Sequence, residues 1–170
     1  MATLHPQVER LRTSRDNLVR LRNRVEKGLP SPEDVPRGRE WVDREILAHV
    51  DEMLPYWHGE IERVLVGPLE PVPFGREEKD LIRVLTVDRD RTLPVAELYA
   101  RLDSALERLL RRLLELDDRQ VGRRGLHKRR GEMTVRQIVE TMLAEHMEAH
   151  CAQMVAALDA ARDAALAGKA

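Results

Sequence analysis

In the stretch EHMEAHCAQM, residues 145–154, His146 and His150 stand four positions apart. A helix turns about 100° per residue, so such a pair projects from one face about one turn apart, where two imidazoles can chelate a single ion. Both lie on a stripe with Val135, Ile138, Val139, Met142, Met154, Leu158 and Ala161. His49 repeats the situation elsewhere in the chain, set among Ile46, Val50 and Met53. Burying an imidazole without a partner costs on the order of 1–3 kcal/mol, so three inward histidines call for a common explanation. A shared divalent metal provides one, since neutral imidazole is a common ligand of zinc, nickel and iron. Three protein ligands leave a coordination position open, as catalytic metal sites do. The competing explanation is three core histidines, each satisfied separately.

The neighbouring residues narrow the chemistry. The motif reads His-Met-Glu-Ala-His, which puts Glu148 on the far side of the helix from the pair, as a solvated charge and a poor general base. Cys151 lies about 100° round from His150 and reads as a small core residue. His58, nine positions after His49, falls on the opposite side of its helix and reads as surface. His5 and His127 receive no role. Met53, Trp57 and Met142 flank the histidines at helical spacing and either line an apolar substrate pocket or belong to ordinary core. No serine or cysteine nucleophile stands beside a base, no phosphate loop is present, and no catalytic acid or base can be named.

Amphipathic helices must carry these residues. Residues 4–26 repeat Leu4, Val8, Leu11, Leu18, Leu21 and Val25 at helical spacing, and KGLPSPEDVPRG then ends that helix. A second helix begins at Arg39 or Glu40 with the stripe Val42, Ile46, His49, Val50, Met53, Trp57, Ile61 and Val64. Pro55 within it removes a backbone donor, so a bend is expected at residues 51–55. VGPLEPVPFG interrupts the chain, and a weaker helical piece follows at about residues 76–87. The third helix runs from Pro94 through Val95, Leu98, Leu102, Leu106, Leu109 and Leu113. The basic stretch RQVGRRGLHKRRGE, residues 119–132, reads as a solvated loop that could attract an anion. In TVRQ, Thr134 and Gln137 match a capping box that opens the fourth helix, which runs to the alanine-rich end near Gly168. No strand alternation of useful length is visible. The expected fold is all-α, a four-helix bundle in one domain over residues 1–170, with a long crossover between helices two and three.

Bulk composition agrees. With 42% hydrophobic but only 3% aromatic residues, the core must be aliphatic, which suits helices. A formal net charge of −1 with interspersed signs gives no reason to expect nucleic acid as a partner. The lone cysteine, the polar start and the lack of a transmembrane-length apolar run lead to the expectation of a cytoplasmic protein without a membrane partner.

EWVDREILAHVDEMLPYW and GEMTVRQIVETMLAEHMEAH, with a leucine-rich helix between them, resemble the DinB-like superfamily of four-helix bundles. That group includes YfiT-type proteins and the metal domain of mycothiol-dependent maleylpyruvate isomerase. The likeness spans nearly the whole chain. It implies that one histidine of the second helix and a His-x-x-x-His pair of the fourth bind one divalent metal, matching His49, His146 and His150 in kind and order. Trp41 matches the tryptophan that opens the second helix. The resemblance also implies up-down-down-up topology and a homodimer. Characterised relatives use the metal to activate a low-molecular-weight thiol for transfer or isomerisation of a small-molecule substrate, while others are labelled only as metal-dependent hydrolases. A metal-dependent enzyme and a non-catalytic metal-binding or interaction bundle are therefore the two function classes.

Overall fold

A computed structural model describes residues 4–28, 43–77 and 80–167. Four long helices build the body: α1 (His5–Gly28), α2 (Asp43–Val66), α4 (Val95–Glu115) and α7 (Glu145–Ala167). A short α3 (Leu81–Asp90) lies in the connection between α2 and α4. The fold is all-α, as composition and periodicity predict. The expected start of the second helix at Arg39 or Glu40, its first stripe residue Val42, and Trp41 lie outside the described residues.

The stripes meet as amphipathic packing requires. α2 packs against α4 and α7, and α1 packs against the same two helices, so α1 and α2 occupy opposite corners. Leu11 and Leu18 of α1, Ile46, Met53 and Ile61 of α2, Leu98, Leu102 and Leu106 of α4, and Met154 of α7 are fully buried. Each such side chain contributes roughly 1.5–3 kcal/mol by leaving water. α2 continues through Pro55 to Val66. The stripe of the last helix ends one turn earlier than expected, because Ala161 is exposed.

Two departures concern the connections. The short helix begins at Leu81, later than the expected residue 76, because Asp80 caps it: its carboxylate accepts the Arg83 backbone N–H at 3.0 Å. The larger departure is a small sheet where only loops were expected. β1 (Val72–Phe74) pairs in parallel with β2 (Arg124–His127), and β2 pairs antiparallel with β3 (Gly131–Thr134). Strands this short carry too little alternation to be read from a sequence. Gly125 allows the sheet to close on α2, since a Cβ there would lie 2.5 Å from the Phe74 ring and 2.9 Å from Val64. The basic stretch is therefore mostly a hairpin, preceded by the one-turn α5 (Asp118–Val121).

The hairpin leads directly into the histidine-bearing helix. Thr134 and Gln137 form the predicted capping box: Thr134 Oγ1 accepts the Gln137 N–H at 3.2 Å, and Gln137 Oε1 accepts the Thr134 N–H at 2.8 Å. The box opens α6 (Val135–Ile138), which passes through a π-helical segment, Val139–Ala144, into α7. Wider π turns are uncommon and recur at functional sites; this one ends two residues before the first of the paired histidines, where it sets the rotation of α7 relative to α6.

Candidate metal centre

α2 and α7 bring His49, His146 and His150 together, with one ligand nitrogen from each lying within 4.8 Å of the others. The ring centroids are 5.5 Å apart for His49 and His146, 4.8 Å for His49 and His150, and 4.6 Å for the pair within α7. His49 and His150 are buried, and His146 is partly so. Such a group could hold a metal ion.

Protonation is set by the same packing. Burial, reinforced by the mutual repulsion of the imidazoles, pushes His49 down to about 2 and His146 to about 4, and burial also lowers His150. All three are therefore neutral at pH 7, the form that binds metal. His150 Nδ1 donates to Gln153 Oε1 at 2.9 Å, which leaves the Nε2 lone pair as the ligand atom. The carboxylate of Glu52 lies 3.8 Å from His49 Nδ1 and is held in turn by Arg76 through contacts of 2.5 and 2.6 Å. The Arg76 guanidinium sits 3.8 Å above the Tyr56 ring, which holds the Arg76–Glu52 pair in place beside His49.

The cluster faces a cavity of about 820 Å³. Trp57 and Met142 are among the residues lining it, whereas Met53 is fully buried in the core and is not among the lining residues. His127, given no role from the sequence, forms part of the wall and is buried. The signal was missing because its position depends on a hairpin that has no readable sequence pattern. Arg76, Arg83 and Arg130 also face the cavity.

The residues set aside lie elsewhere. His58 is partly exposed on α2 with Glu62 3.9 Å away, and His5 is exposed on α1. Glu148 pairs with Arg10 at 2.7 Å on the outer face of α7. Cys151 is buried with its thiol directed at the Ser14 carbonyl at 3.3 Å, and burial pushes it up to about 11. Among the described residues no helix is long and apolar enough to cross a membrane.

A family model described as the DinB superfamily matches residues 10–154, a span that contains all three clustered histidines and the hairpin. No curated protein matches the chain.

Proposed function

The chain belongs to the DinB superfamily, and from that premise we propose that it is a metal-dependent enzyme that holds one divalent ion, zinc, nickel or iron, through His49, His146 and His150. The observation that carries the reading is the convergence of three neutral imidazoles, from two helices, within 4.8 Å of one another on the wall of a cavity. The donor set fits the group: all nitrogen, and neutral at working pH. When bound, such an ion acts as a Lewis acid that lowers the pKa of a thiol or water in its open position.

The chain's own residues do the rest. Gln153 orients the imidazole of His150 through its hydrogen bond, and the Glu52 carboxylate stands 3.8 Å from His49 Nδ1. Trp57 and Met142 give the cavity an apolar side against which an electrophilic substrate packs. The combination suits transfer or isomerisation with a low-molecular-weight thiol. A metal-dependent hydrolase is the second reading, because the same open position would serve water equally well.

Zinc-loaded protein should accelerate conjugation of a test electrophile to one of bacillithiol, mycothiol, glutathione or coenzyme A, and the His150→Ala protein should not. Ester or amide hydrolysis without any thiol-dependent rate would replace the transferase reading with the hydrolase. Zinc-loaded protein inactive in both assays would favour the non-catalytic bundle.

A further inference from the structure

His127 stands in the wall of the cavity with its tautomer fixed. The Arg129 backbone N–H donates to its Nδ1 at 3.2 Å, so Nδ1 must be the acceptor and the proton of the neutral ring is on Nε2. Burial pushes this imidazole down, and the charges of Arg130 and Arg129 push the same way, which keeps it neutral at pH 7. His127 is 6% exposed as a residue, and its Nε2 makes no hydrogen bond among the described residues. That nitrogen is not shut off from solvent, and on the cavity wall its N–H is open to an acceptor placed there.

The surroundings position this ring with care. It packs edge-on against Phe74, with centroids 5.4 Å apart. Gly75, at φ +84°, leaves the space it needs: a Cβ there would lie 2.3 Å from His127 Cδ2 and 2.7 Å from Nε2. Buried Glu60 accepts the Gly75 backbone N–H and so pins that glycine to α2. Arg130, in the hairpin turn, faces the same cavity, and a guanidinium offers five donors in a fork that matches an oxyanion.

We infer that the β2–β3 hairpin is the substrate-recognition element of this cavity, in which His127 Nε2–H and the Arg130 guanidinium together hold an oxyanion, a carboxylate or a phosphate, of a small-molecule ligand. The inference rests on the proposed function for what the metal does with that ligand. The hairpin's binding of an oxyanion needs no metal. His127 serves as a neutral hydrogen-bond donor, and its N–H is offered without the desolvation that a cation would suffer.

Calorimetric titration of full-length protein with succinate and with inorganic phosphate tests this, each with and without zinc, and whichever binds identifies the group. The expected result is saturable binding by wild type, weakened at least tenfold in both His127→Ala and Arg130→Ala, with zinc content unchanged in both. The His127 Nε2–H resonance should shift as the anion is added to wild type. Should His127→Ala fail to fold, Arg130→Ala, altered at an exposed side chain, and the wild-type resonance decide the matter. Binding of neither anion, or equal affinity in wild type and Arg130→Ala, would overturn the inference. Anion binding that follows the hairpin variants in protein that takes up no zinc would support the hairpin's role and reject the metal reading alone.

Discussion

At the scale of residues, reactivity follows from which side chains are aimed at open space and which are spent inside the fold. Cys151 follows His150 directly, yet its thiol is buried against the Ser14 carbonyl and held protonated. A thiol-reactive dye should therefore label native protein at pH 8 far more slowly than protein unfolded in guanidinium, and equal rates would show that the thiol is accessible. Gln153 is the opposite case, an unremarkable polar residue whose hydrogen bond to Nδ1 assigns Nε2 of His150 as the ligand atom. Gln153→Ala should weaken zinc affinity by about 10- to 100-fold in a chelator competition, the usual effect of removing an outer-sphere partner, with helicity by circular dichroism unchanged. The three clustered histidines were legible because helical spacing and apolar neighbours both signal burial. His127 was not, because its burial is decided by Phe74, Gly75 and the pairing of β2 with β1, contacts between segments far apart in sequence.

At the scale of elements, the long helices announce themselves and the short pieces do not. The stripes of α1, α2, α4 and α7 repeat over several turns, whereas three-residue β1 and the four-residue strands β2 and β3 are too short for alternation to stand out. The capping box was readable because its two partners are three residues apart. Thr134→Ala should cost about 1 kcal/mol by the usual worth of an N-cap, seen as a lower urea midpoint with an unchanged slope. Gly125→Ala should cost roughly 1–3 kcal/mol, because the added methyl meets Phe74 and Val64 on a wall that cannot recede without moving α2. A stability equal to that of wild type would mean that the hairpin is not seated on α2. The π-helical segment Val139–Ala144 was invisible for another reason: it changes the rotation of the helix without changing its apolar composition.

At the scale of the whole molecule, the bundle and the metal centre are separable. The fully buried leucines of α1 and α4 form core without any contribution from the histidines, so the helices should survive chelation. Removing metal should lower the folding stability only by the linkage amount, about 2.7 kcal/mol when free metal is at 100 times its dissociation constant, while far-UV circular dichroism stays helical. Collapse to an unfolded chain would instead make the metal a structural staple. The central claim is that His49, His146 and His150 bind one ion between them, and elemental analysis of protein purified without a metal-chelating tag tests it most directly. The account predicts about one divalent ion per chain in wild type and in His58→Ala, and affinity reduced at least tenfold in each of His49→Ala, His146→Ala and His150→Ala. Equal metal content in all five proteins would contradict it.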